Sequence, residues 1–126
     1  VLVSPIPADH RPVIGALIAG RGRYAYSFYK SLNGRWVSQN EPALTTAAEL
    51  SNIIRERTLV CGEFDAAARL FIEQNCSMAE VLSPARSCRY PSYLAELAWQ
   101  RYKRGEKDDI VTLTPIYTRV DKAIPE

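Results

Sequence analysis

The sequence predicts an α/β domain, a mixed five-stranded sheet of three antiparallel strands extended by two parallel ones and covered by about three helices. Three observations lead there. The stretch Val13 to Tyr29 is strand-like and broken only by Gly20-Arg21-Gly22, and Asn33-Gly34 follows as a second turn. The hydrophobic period then changes at Thr46 from two to nearly four. From there short apolar runs alternate with helical segments, the pattern of strand, crossover helix and parallel strand.

After a Pro-rich lead over residues 1–12 (Pro5, Pro7, Pro12), Val13 to Ala19 reads as an apolar strand and Arg23 to Ser31 as its partner. Period-two alternation puts Tyr24, Tyr26 and Phe28 on one face, the face that helices would cover. The glycines between these strands admit two readings. A phosphate-cradling loop needs them to lead into a helix, whose amides and dipole hold the anion. They lead instead into Tyr24-Ala-Tyr-Ser-Phe-Tyr29, so the run reads as a hairpin turn. A third strand, Arg35 to Gln39, follows Asn33-Gly34 and completes a meander.

Thr46-Ala-Ala-Glu49 is a capping box that opens a helix running to about Glu56, with Leu50, Ile53 and Ile54 as its apolar stripe. Thr58 to Gly62 suits a strand buried on both faces, parallel to the meander. Asp65 caps a helix from Ala66 to Gln74 with the stripe Ala67, Leu70 and Phe71, and Asn75 stops it. Met78 to Leu82 is a second short apolar strand, ended by Ser83-Pro84. A long helix from Pro91 to Arg104 turns Leu94, Leu97, Ala98 and Tyr102 inward, and Gly105 ends it. Glu106 to Glu126 should form a tail packed along the domain, extended at Ile110 to Leu113 and frayed at its end. This order of elements matches a half-unit of the ribonuclease-H-like and actin-like ATPase architecture, which speaks to topology and says little about function.

With 126 residues, 47% hydrophobic and 24% charged, the chain has the make-up of one soluble globular domain. Sixteen basic against fourteen acidic residues leave a net charge of +2, which argues against a dedicated nucleic-acid binder. Cys61, Cys76 and Cys88 are odd in number and too far apart for a CxxC motif, so free thiols in a reducing cytoplasm are expected. No apolar run approaches the length of a membrane span and no signal peptide opens the chain. Val1-Leu-Val-Ser-Pro5 in place of an initiator methionine suggests a fragment whose natural chain continues upstream.

Each chemistry open to such a fold finds its residues missing. Two-metal nucleases set a carboxylate in the first strand, and Val13 to Ala19 contains none. His10 is the single histidine and sits in a polar, Pro-flanked segment, which removes the paired-histidine metal motifs. No GxSxG elbow holds a serine for a hydrolytic triad. Cys61 and Cys88 lack a neighbouring base and read as structural or incidental thiols. Glu63 and Asp65 flank a strand end, where α/β folds place functional carboxylates, although Asp65 has its capping role. Asp108-Asp109 reads as a solvated turn. Arg86, Arg89, Arg101, Lys103 and Arg104 with Arg21 and Arg23 offer an RNA-facing patch, but nearby Glu96 and Glu106 favour a solvated helix face.

Three motifs in order carry a family resemblance. Ile18-Ala-Gly-Arg-Gly-Arg23 continued by Tyr24 to Tyr29 resembles the strand-turn-strand of the bacterial TsaB (YeaZ) proteins. Pro91-Ser-Tyr-Leu-Ala-Glu-Leu-Ala98 with Gly105 is similar to their last helix. Thr114-Pro-Ile-Tyr-Thr-Arg119 resembles their terminal P-x-Y-x-R signature. The resemblance spans nearly the whole chain but only the C-terminal half of the family, whose members carry two actin-like half-units. Ile18 stands where the family has Asp.

The resemblance implies a non-catalytic scaffold subunit in the formation of N6-threonylcarbamoyladenosine at position 37 of tRNA. It implies pairing with a TsaD-like catalytic subunit and a TsaE-like ATPase, with tRNA met through the complex and no cofactor or metal held by this chain. Family pairing runs mainly through the first half-unit, so this half would carry the lesser part of that surface, and an exposed apolar face would favour homo-oligomers. Residues expected to make partner or RNA contacts are Arg21, Arg23, Arg89, Tyr117 and Arg119. Two alternatives stand beside it, a peptidase as the family's older label (glycoprotease-like, peptidase M22) suggests, and a small RNA-binding module.

Overall fold

Val13–Gly20 (β1) and Arg23–Leu32 (β2) pair antiparallel, and the computed structural model, which describes residues 1–115, builds its sheet outward from this hairpin. Arg21 and Gly22 both take positive φ (54° and 68°), as a two-residue type I′ turn requires. Arg35–Ser38 (β3) adds antiparallel to β2. Thr58–Gly62 (β5) adds parallel on the far side of β1, and Ala79–Val81 (β6) adds parallel to β5. The path β3-β2-β1-β5-β6 is the expected mixed sheet.

A sixth strand, three residues long, joins the five expected. Ala43–Thr45 (β4) pairs with Tyr24 to Tyr26 of β2, beyond the point where β3 leaves it. Between β3 and β4 the Asn40 side chain replaces a strand, its Oδ1 accepting a hydrogen bond from the Phe28 amide at 2.7 Å. β3 and β4 are thus one interrupted partner of β2.

Ala47–Ile53 (α1) opens on the capping box, with Thr46 Oγ1 accepting from the Glu49 amide and Glu49 Oε2 accepting from the Thr46 amide at 2.9 Å. It ends at Ile53 rather than Glu56, because Ile54 is already extended. Ala66–Asn75 (α2) starts on Asp65, whose Oδ1 accepts from the Ala68 amide at 2.8 Å. Its inward stripe is Ala68, Ile72 and Cys76; the expected stripe of Ala67, Leu70 and Phe71 lies outside. Both stripes have helical spacing, one position apart, and the cap sets the rotation that brings Ala68 beneath Ala16 and Tyr24.

The sheet has two buried faces. On the helix face Ile14 and Val60 pack with Leu50, Ile54, Ile72 and Cys76, flanked by Tyr26 and Phe28 as alternation predicts. The opposite face is covered by the lead. Leu2, Val3 and Ile6 bury against Val13, Leu59, Cys61 and Leu82. Trp36 Nε1 donates to the Ile6 carbonyl at 2.9 Å, and Arg11 ties Asp9 to Glu80 on β6. All five β5 residues are buried, as a strand between two layers must be.

A 3-10 turn (Pro84–Ser87) leads into Pro91–Lys103 (α3). No residue of α3 is buried, and Leu94, Leu97, Ala98 and Tyr102 point outward, against expectation. The tail over residues 106–115 is likewise exposed throughout, and residues 110–112 form a turn rather than an extended strand. No described element lies against the apolar side of α3 to receive it. None of the described helices is long and apolar enough to cross a membrane.

Candidate functional site

The parallel strands β1, β5 and β6 point their C-terminal ends to one side of the sheet, and in α/β sheets that side is where ligands are met. β1 meets β5 only as far as Ala16, opposite Gly62, so Leu17 to Gly20 run on and carry the hairpin turn about 13 Å past the end of β5 at the usual strand rise. Arg21 stands exposed on that turn and Arg23, partly exposed, opens β2. Neither is ion-paired among the described residues. Arg89 reaches the same end and pairs with Glu63, the residue after β5, at 2.6 Å. Tyr117 and Arg119 lie outside the described residues.

The wider arginine patch is largely neutralised. Arg101 donates to Glu106 (2.9 Å) and Asp108 (3.0 Å), and Arg104 pairs with Glu106. With Arg89 held by Glu63, three of the expected phosphate-facing cations already have carboxylates.

Beneath the hairpin lies a hollow of about 380 Å³ lined by Gly22, Tyr24, Thr46, Asp65, Ala67 and Phe71, among others. Tyr24 Oη donates to Asp65 Oδ2 at 3.1 Å, and the Tyr24 and Phe64 rings meet at 4.9 Å. Burial, then the bond to Asp65, raises the Tyr24 phenol above its ordinary value. The Ala68 amide, then the Tyr24 hydroxyl, holds the Asp65 carboxyl below its own. With both helix starts capped and an ionised Asp65 at the mouth, this hollow disfavours an anion, which agrees with reading the glycines as a turn.

A depressed folded-state value fixes the pH sign. Asp65 contributes stability that is complete above its unfolded pKa and is lost as pH falls through the lower folded one. Asp65→Asn keeps a good cap but does not titrate. The parent's advantage in melting temperature over Asp65→Asn should therefore shrink as pH falls from about 5 to about 2. An advantage that grows toward acid would contradict the bonding described.

Burial pushes the Cys61 thiol up to about 12. Cys76 is also buried, and Cys88 is exposed with its Sγ 3.4 Å from the Pro84 carbonyl. One thiol should react with a water-soluble disulfide reagent in the native protein and all three after unfolding. His10 is exposed in the lead, as expected. Among the described residues no group of three or more metal-ligating side chains lies together.

The sequence leaves the Tyr24–Asp65 bond unseen because forty residues separate the pair in the chain. Alternation did place Tyr24 on the helix face and capping did place Asp65 at the start of α2, which together are the signal for it. Comparison with protein-family models and with curated proteins gives no match.

Proposed function

We propose that this chain is a non-catalytic scaffold subunit of the machinery that makes N6-threonylcarbamoyladenosine at position 37 of tRNA, working by pairing with a TsaD-like catalytic subunit. The observation that carries the reading is the projecting Ile18 to Tyr24 hairpin. The first of the three segments that carry the family resemblance is also the one that extends past the parallel strands, free to meet a partner. Ile18, where that family has Asp, is 60% exposed, so an apolar residue there adds to a contact surface at little cost to the fold. An RNA-binding module draws less support, since Arg89, Arg101 and Arg104 are ion-paired.

The test is co-elution of the full chain with a bacterial TsaD-like subunit at low salt. A complex is expected, weakened at least tenfold when Arg21 and Arg23 are both replaced by Ala, as for contacts at an interface hot spot. No complex at low salt, or a complex indifferent to that double replacement, would remove the reading.

A further inference from the structure

The lead covers one face of the sheet without belonging to the sheet. Leu2, Val3 and Ile6 are buried on that face, yet among the described residues the stretch before Pro7 makes one backbone-to-backbone hydrogen bond, from the Ile6 amide to its own Val3 carbonyl at 3.0 Å. Its polar ties to the sheet come from side chains. Trp36 Nε1 donates to the Ile6 carbonyl, and Cys61 Sγ faces the Leu2 carbonyl at 3.9 Å. Pro7 and Ala8 are exposed, and beyond them the chain is fastened again, by Arg11 to Asp9 and Glu80 and by the Pro12 carbonyl, which accepts from the Leu59 amide at 3.0 Å. Leu2 to Ile6 are thus held mainly by their apolar side chains, next to an exposed pivot.

Gly15 gives this attachment its shape. It lies in β1 between Ser27 of β2 and Cys61 of β5 and leaves a gap in the row of side chains on that face. A methyl group placed there would stand 3.2 Å from Val3 Cγ2 and 3.4 Å from the Tyr29 ring. Val3 is therefore keyed into the notch that the glycine leaves. On the outer side of the segment, Pro5 and Ile6 border a hollow of about 390 Å³ shared with Arg86, Tyr90 and Tyr93, in place of a packed layer.

The two covers of the sheet are unequal. On the helix face Leu50, Ile54, Ile72 and Cys76 belong to capped, hydrogen-bonded helices and their ends, whereas opposite them three side chains ride on a backbone that pairs with no strand. Proteins open first where backbone hydrogen bonds and buried contacts are fewest. We propose that Leu2 to Ile6 form a strap that lifts off the sheet as one unit while the rest of the domain stays folded, turning at Pro7 and Ala8 and uncovering Val13, Leu59, Cys61 and Leu82. Cys61 is wholly buried beneath this strap, so its thiol reports the motion.

The full 126-residue chain, with Cys88→Ser to remove the exposed thiol, is tested with a water-soluble disulfide reagent, and labelling at Cys61 is followed by peptide mass. Cys61 should react slowly, yet at least tenfold faster than the equilibrium for unfolding of the whole domain permits. Its rate should be nearly flat at low urea, because lifting the strap exposes little surface. Val3→Ala removes two buried methyl groups and should speed the reaction about tenfold. Gly15→Ala should speed it too, since β1 is held by strands on both sides and Val3 is the neighbour that can give way. Ile72→Val, which weakens only the helix layer, should leave the rate at Cys61 unchanged. A rate that climbs steeply from the first addition of urea, that matches unfolding of the whole domain, or that responds to Ile72→Val would overturn the proposal. Indifference to Val3→Ala or to Gly15→Ala would overturn it as well.

Discussion

Replacing Gly62 by alanine is expected to cost about 4 kcal/mol or more, a large fraction of what holds a domain of this size together. Gly62 closes β5 opposite Ala16, and a methyl group there would lie 2.2 Å from the Ala16 carbonyl oxygen and 2.9 Å from its carbon. Neither atom belongs to a side chain that could swing aside. Ala16 sits in the middle of β1, bonded to strands on both sides, and its carbonyl accepts the Glu63 amide at 3.0 Å. Relief would require β5 to part from β1, which uncovers Val60 and Cys61, or the chain to leave the sheet early, which displaces Glu63 and the Asp65 cap. Gly34→Ala is the control. Its added methyl meets nothing within 4 Å, so only its positive φ of 74° opposes the change, at about 1 kcal/mol. Urea unfolding of both variants measures the difference. A Gly62→Ala protein as stable as Gly34→Ala would mean that β5 does not approach β1 as closely as described.

Sequence patterning reveals this sheet well where its signals are local. Asn33-Gly34, the Thr46 and Glu49 box and the Asp65 cap each involve residues within a few positions of one another, and each forms as expected. β5 is legible for a related reason, since a run with no polar alternation can only lie between two layers. What escapes are choices made by tertiary contact. β4 has three residues beside Pro42, too few to show a period, and exists because β2 outruns β3. The lead carries Leu2, Val3 and Ile6 without helical or strand spacing, yet one sheet face needs a cover and these side chains supply it. For α3 the periodicity was true and its direction was not. Amphipathic spacing says that a helix has an apolar side and does not say that the same chain buries it. The candidate site divides in the same way. Alternation and turn chemistry locate Arg21 and Arg23, whereas the partners of Arg89, Arg101 and Arg104 are set by how elements meet.

The rotation of α2 offers the sharpest test of how the helix layer is assembled. Ile72 is wholly buried between Ile14, Leu50 and Val60, so Ile72→Ala should cost about 2–5 kcal/mol, the transfer of its lost carbons plus the cavity they leave. Phe71 is 41% exposed at the rim of the hollow, and Phe71→Ala should cost no more than about 1 kcal/mol despite removing a larger side chain. The order of these two effects inverts what bulk alone would suggest. It follows from the cap. With Asp65 holding the Ala68 amide, Ala68 must face the sheet, and one turn on, Ile72 stands over Ile14 while Phe71 is turned about 100° away. Were Phe71→Ala the costlier change, α2 would be turned the other way, Ala67 would replace Ala68 against Tyr24, and the Tyr24 hydroxyl would lose Asp65 as its acceptor. Thermal or urea unfolding of the two variants therefore reads the rotation of the helix and the integrity of the Tyr24–Asp65 bond together.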